Sequence, residues 1–212
     1  MSELKSIGVA SALVLVNIVL IFVFAFTPLA TVNAILFQYI ILGMIVYGAL
    51  LSGGLYLARK GVREDKTGMA VGGTSLVQLA YGTLGAGIIG VLGAGGRVVA
   101  LTIAGIISFL IGVAAFLVVR LSGHDFSAWG RYANYLFFAA LGSGLLATFI
   151  PVLGIVTFIL VFIAFLVFLI HELYQAKTRP GKPFLNGIGL YTAFMGVFIE
   201  VLKLVVRLLA EE

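Results

Sequence analysis

The sequence predicts an all-α membrane protein of seven transmembrane helices, the last of them polar-striped and belonging in the middle of the bundle, with residues 1–212 forming a single domain. Three observations predict it. First, 62% of the chain is hydrophobic, only 10% is charged, and the mean hydropathy is +1.24. A soluble domain carries roughly 45–50% apolar and about 25% charged residues, so this chain lacks the polar surface that water demands. Second, the apolar residues fall into long uncharged runs. Third, basic residues collect on alternate loops. An ordinary soluble enzyme and a nucleic-acid-binding protein are excluded, and nucleic acid is not an expected partner. The excess of 13 Lys+Arg over 8 Asp+Glu suits loop charges that set membrane orientation. Eight acidic residues also argue against a surface adapted to very high salt. No cysteine is present, which removes disulfides, thiolate metal sites and cysteine nucleophiles.

The predicted spans run from about 7–30, 35–58, 68–92, 98–119, 132–150, 152–171 and 187–209. A helix needs about 20 residues to cross a hydrocarbon core of roughly 30 Å. The first two runs are uncharged for 24 residues each. The next four meet the required length, or nearly so, without an internal charge. The seventh holds Glu200, Lys203 and Arg207 and so is not expected to face lipid. Pro28 closes the first span, Pro151 marks a short turn after the fifth, and Pro180 and Pro183 lie in the last polar loop. The opening Met-Ser-Glu-Leu-Lys before an apolar run has the look of a signal peptide. The run is too long for an h-region and Val32-Asn33-Ala34 is a poor cleavage site, so a retained first helix is expected.

With the N-terminus on one side, that side receives Lys5, Arg59, Lys60, Arg63, Lys66, Arg120, Arg131, Lys177, Arg179 and Lys182, while the other receives only Arg97 from its loops. This bias places the N-terminus in the cytoplasm and, after seven crossings, the C-terminus outside. Should the last segment re-enter instead of crossing, the C-terminus would return to the cytoplasm. Glycine is abundant, 27 of 212 residues against a usual ~7%. It concentrates in the spans as Gly68-x-x-x-Gly72, the Gly82–Gly90 string and Ala140-x-x-x-Gly144-x-x-x-Thr148. Small residues four apart let helix backbones approach in lipid. No phosphate-loop pattern and no clear repeat occur.

Polar residues within a bilayer are costly and therefore informative. They are Asn17, Gln38, Gln78, Asn134, His171, Glu172, Glu200, Lys203 and Arg207. The amides read as interhelical glue. In the last span Gly189, Ala193, Gly196, Glu200, Lys203 and Arg207 recur at spacings of 4, 3, 4, 3 and 4, which puts them on one helical face. Such a stripe would line a cavity, or Glu200 would pair locally with Lys203 while Arg207 reaches for the surface. Glu172 ends the sixth span on the side where the second exits at Arg59 and Lys60. A pair between those helix ends would make a latch, with His171 beside it, that opens when Glu172 is protonated. The bland reading is an interfacial glutamate at a helix end.

Two enzyme patterns fail. His171-Glu172-Leu173-Tyr174-Gln175 lacks the second histidine of a zinc site, and the other histidine, His124, lies in a separate loop. Ser143, in Gly142-Ser143-Gly144, sits mid-helix while His171 sits at a membrane edge. No enzyme activity, cofactor or firmly assigned metal is expected.

The order of segments resembles the Bax inhibitor family, also called the transmembrane Bax inhibitor motif family, in a prokaryotic-type member. Gly123-His124-Asp125-Phe126-Ser127-Ala128-Trp129-Gly130 is similar to its (K/R)-x-D-(F/M/L)-S-x-(L/W)-G approach to the fifth span. Leu169 to Gln175 is similar to its (Y/F)-(D/E)-x-x-x-I segment. Gly189-Leu190-Tyr191-Thr192-Ala193-Phe194, with Phe198 and Leu202, resembles its closing S-L-Y-x-x-(F/Y)-x-x-x-F-x-x-L-L helix, and Lys66-Thr67-Gly68 fits its bacterial members. The likeness covers roughly residues 35–210. It implies six helices around a central seventh and, in some members, a pH-sensitive calcium leak sensed by a carboxylate pair on the last two helices. Glu172 matches the first acid of that pair, and the second falls at Ala193. Glu200 shares the face but lies about 10 Å deeper at 1.5 Å per residue. Bacterial members without the second acid act as regulatory partners of a membrane-bound AAA protease.

The expected function is a pH-sensitive cation (calcium) leak, with Glu172 as gate and Glu200, Lys203 and Arg207 along the route. The alternative is a non-conducting protein that modulates a membrane protease or a stress response. Expected partners are the lipid bilayer, calcium or protons, and a membrane protease.

Overall fold

A computed structural model describes residues 2–37, 40–179 and 181–211. Gln38 and Pro180, both singled out in the sequence, lie outside these described residues. The described chain is almost wholly helical: α1 (Ser2–Phe24), α2 (Leu29–Phe37), α3 (Ile40–Arg63), α4 (Thr67–Ile89), α5 (Ala94–Leu121), α6 (Trp129–Ala147), α7 (Leu153–Thr178) and α8 (Pro183–Ala210). Among the described residues four helices, α1, α3, α5 and α7, are long and apolar enough to cross a membrane.

The expected spans are corrected at the start of the chain. Residues 7–30 and 35–58 divide instead into α1, the extra short helix α2, and α3. Pro28 has no N–H to donate and biases Thr27 away from the helical region, so α1 stops before it. Thr27 then caps the break, its Oγ1 donating to Phe24 O at 2.8 Å. Several helices also outrun their apolar stretch. α1 begins at Ser2, α3 continues through Arg59, Lys60 and Arg63, and α7 continues to Thr178. Hydropathy marks what lipid accepts, whereas Glu, Leu, Lys and Arg are good helix formers in either solvent.

Local chemistry sets the other boundaries. α5 ends with Gly123 in the left-handed region (φ 64), a conformation that glycine adopts without a Cβ clash. Pro183 occupies the first turn of α8, where its missing N–H costs nothing. Between α3 and α4, Asp65 takes φ 54 and Lys66 N donates back to Gly61 O at 2.8 Å.

Small residues bring the helices together, though not at every position the spacing suggested. A Cβ on Gly68 or Gly72 would meet nothing within 4 Å. The close approach belongs to Gly61 and Gly73, where a Cβ would strike the backbones of Ala70 and Ala58, and this locks α3 to α4. A Cβ on Gly85 would come within 2.7 Å of the Ile21 side chain of α1, so the Gly82–Gly90 string does serve packing. Gly144 lies against Met44 of α3 and Thr157 of α7.

α8 is the most enclosed element. From Asn186 to Leu202 it is buried except at Phe194, and it packs against α1, α3, α4, α5 and α7. Its core side chains include Tyr191, Met195, Phe198, Ile199 and Leu202. The outward surface is the reverse of a soluble protein's. Leu15, Phe109, Leu110, Phe138, Phe149 and Ile155 are all exposed. Water would penalise an apolar surface of this extent, whereas hydrocarbon accepts it. The fold is that of an integral membrane protein.

Candidate functional site

The last two turns of α7 form the most heavily connected polar region. Glu172 is buried, and its Oε1 accepts a hydrogen bond from Arg59 Nη2 of α3 at 2.6 Å. Their side chains are 5% and 27% exposed, so the acid is enclosed while the guanidinium keeps some contact with the exterior. The pair rests on α8 at Gly189, where any Cβ would collide with the Glu172 carboxylate and the Arg59 guanidinium. Three helices thus meet on one ion pair, and the absence of a side chain at Gly189 makes room for it.

The structure brings together two of the four sequence-predicted latch residues. Lys60 does not reach Glu172. It lies 3.9 Å from Glu64 and sits over the Tyr56 ring at 5.9 Å. His171 also stands apart from the pair: its Nδ1 contacts Phe126 O, in the loop between α5 and α6, at 3.1 Å. Next to it, Lys177 Nζ donates to Val119 O at 2.9 Å, tying α7 to the end of α5. The α5–α6 loop is itself built around Asp125, whose Oδ1 accepts from Ser127 N at 2.8 Å. That backbone N–H holds the Asp125 carboxyl below the usual carboxylate range, helped by the Ser127 and Tyr174 side chains.

The charged stripe of α8 is partly enclosed. Glu200 is buried and its Oε1 accepts from Lys203 Nζ at 2.6 Å, while Oε2 has no partner among the described residues. Lys203 and Arg207 are exposed, and Arg207 pairs with Glu211 at 3.2 Å. Gly189 and Glu200 are eleven residues apart on α8 (200 − 189), or roughly 16 Å. Glu172 and Glu200 are therefore separate charged points at opposite ends of the buried stretch.

Between them lies a polar network that the sequence did not announce. Tyr191 OH donates to Asn17 Oδ1 at 2.9 Å, and Asn17 Nδ2 donates to Gln78 O at 2.9 Å. Tyr81 OH donates to Thr192 O at 2.9 Å, and the Tyr81 and Tyr191 rings meet edge to face. Asn17 is the interhelical glue its position in an apolar span suggested, joining α1, α4 and α8. The tyrosines escaped notice because an aromatic in a span looks apolar. Their signal was a hydroxyl placed mid-helix beside small residues.

At the other end of the bundle Arg97 donates to Ala25 O at 2.8 Å and Leu92 O at 2.9 Å, with its guanidinium over Phe26. Ser143 shares a hydrogen bond with Thr157 Oγ1 at 2.9 Å and donates to Ala140 O. Among the described residues no three His, Asp or Glu side chains gather in one place. No protein-family model, curated protein or solved structure matches the chain.

Proposed function

We propose that the chain is a Bax-inhibitor-like membrane protein with seven crossings, six of them around α8, non-enzymatic, acting as a pH-sensitive cation (calcium) leak. The N-terminus and the basic ends of α3, α5 and α7 face the cytoplasm of a prokaryote, in keeping with the loop charges. The observation that carries the reading is the enclosed Arg59–Glu172 pair seated on Gly189. A buried ion pair is weak support for stability, since desolvation offsets its Coulomb energy, and is better suited to a registry or switching role. Protonating Glu172 removes one partner and frees α3 from α7 and α8 at that end. Among the ionisable groups nearby in the chain, His171, Lys60, Glu64 and Lys66 each have a partner of their own; Arg63, Asp65 and Tyr174 are the others within a few residues of the pair.

A second reading, a non-conducting regulator of a membrane protease or stress response, draws on Ala193 standing where the resemblance implies a second acid. Calcium flux into liposomes at about pH 6 and about pH 8 separates the two. The leak reading expects faster flux at the lower pH and pH-independent flux in Glu172→Gln, with Glu200→Gln altering rate but not pH response. No flux above empty liposomes at either pH would overturn the leak and leave the regulator.

A further inference from the structure

A groove of about 470 Å³ opens on the side of the bundle between α1 and α5, within the roughly 300–1,000 Å³ of ligand pockets. Its floor is α8, at Leu190, Phe194 and Phe198, and α7 closes the deep side at Leu169 and Leu173. Within the buried stretch of α8, it is where the half-buried Phe194 meets the outside of the protein. Both walls are helices long and apolar enough to span a membrane, so the groove faces hydrocarbon.

Its dimensions match one leaflet. From Leu190 to Phe198 the floor is eight residues (198 − 190), about 12 Å, and the α1 wall from Ile7 to Ile18 is eleven (18 − 7), about 16 Å. Half of a hydrocarbon core is about 15 Å. α1 and α5 touch at few positions, so the two walls stand apart along most of the groove and leave its apolar floor open. An acyl chain matches that lining and that length.

The mouth is charged. Arg120 lies over the ring of Phe116, a lining residue, at 5.8 Å, and Lys177 is one turn beyond lining Leu173 with its Nζ on Val119 O. Glu3, one turn before Ile7 on α1, shares the helical face of the groove and is the acidic group at that end. Arg120 and Lys177 stand where the phosphate of a lipid would lie if its tail followed the floor toward Phe198.

We propose that this groove holds one acyl chain of a glycerophospholipid, with the phosphate at Arg120 and Lys177. The bound tail would cover α8 where the protein itself leaves it open. The inference is independent of ion conduction.

The test is lipid retention after purification in mild detergent, read by phosphate assay and mass spectrometry of the extract. A Cβ on Gly105, which lines the groove, meets nothing within 4 Å, so Gly105→Phe would fill the groove from inside and Gly105→Ala is the control. Wild type and Gly105→Ala are expected to keep about one phospholipid per chain. Gly105→Phe should keep about tenfold less at unchanged helicity. Arg120→Gln alone, which leaves the apolar floor and the Lys177 tie to α5 intact, should lower phospholipid retention and supports the proposal even where Gly105→Phe fails to fold. Equal retention in wild type and a folded Gly105→Phe, or a retained molecule without phosphate, would overturn it. So would loss of a co-purifying protein, not a lipid, in Gly105→Phe.

Discussion

Replacing Arg59 by methionine keeps the alkyl stem against α7 but strands the Glu172 carboxylate, whose side chain is 5% exposed. Leaving a buried charge without its partner costs about 3–5 kcal/mol. The partial exposure of Arg59 moves the expected loss toward the lower end. Glu172→Gln is the gentler change: the amide oxygen still accepts from Arg59, and the guanidinium, 27% exposed, keeps a route outward. Its expected cost is about 1–2 kcal/mol, the scale of a charge-assisted hydrogen bond made neutral. For a chain of this size each kcal/mol moves the midpoint by about 2–4 °C. Thermal unfolding in detergent should therefore fall by about 6–12 °C in Arg59→Met and about 2–8 °C in Glu172→Gln. Arg59→Met combined with Glu172→Leu should recover most of the loss, because no charge is then left unpaired. The reasoning fails if Glu172→Gln is the more damaging single change, or if the double variant is as unstable as Arg59→Met.

Gly73→Val should destabilise by about 1–3 kcal/mol through overpacking against the Ala58 backbone, whereas Gly72→Ala, with open space, should not. Melting temperatures of the two variants decide between α3–α4 contact through Gly73 and through Gly72. The Asp125 carboxyl is held below its ordinary value of 3.8 by the Ser127 N–H, so its contribution to the α5–α6 loop is complete above that value. It is lost as pH falls through the lower folded value. Trp129, the one tryptophan, packs edge-on against Phe126 at 4.8 Å and should report that loosening in acid by fluorescence. Asp125→Asn should show the loosened signal already at neutral pH.

The Arg59–Glu172 site was half legible in the sequence, and helix geometry says why. Arg59 and Glu172 were readable as two helix ends on one side of the membrane, a matter of counting spans. Their neighbours were not separable by counting. Lys60 and His171 are each one residue, about 100° of helix, away from the pair, which turns Lys60 toward Tyr56 and His171 toward the α5–α6 loop. The small-residue pattern carries the same ambiguity. Glycines at 68, 72 and 73 advertise close packing, but only the position of α3 decides that Gly73 supplies it. In α8 the 3–4 spacing correctly grouped Gly189 to Arg207 on one face. It could not show that the bundle stops enclosing that face after Glu200, since enclosure depends on neighbouring helices. Arg97 was counted as the lone charge of its side, and its backbone acceptors were hidden because carbonyls leave no trace in sequence.

The connections at the basic end bear on how a latch there would work. α7 is held to α3 by Arg59–Glu172, to the α5–α6 loop by His171 on Phe126 O, and to α5 by Lys177 on Val119 O. A fourth link joins it to α8, where Asn186 Nδ2 donates to Arg179 O. The last three use backbone carbonyls as acceptors, so they do not depend on the charge of Glu172. Protonation of Glu172 would release α3 while the other ties keep α7 in place. The expected motion is then a local parting of α3 from α7 and α8 around Gly189, with the bundle otherwise intact. A leak that opens this way should increase in Glu172→Gln without loss of helicity, whereas cutting the Lys177 or His171 ties should loosen α5 and the loop without opening it.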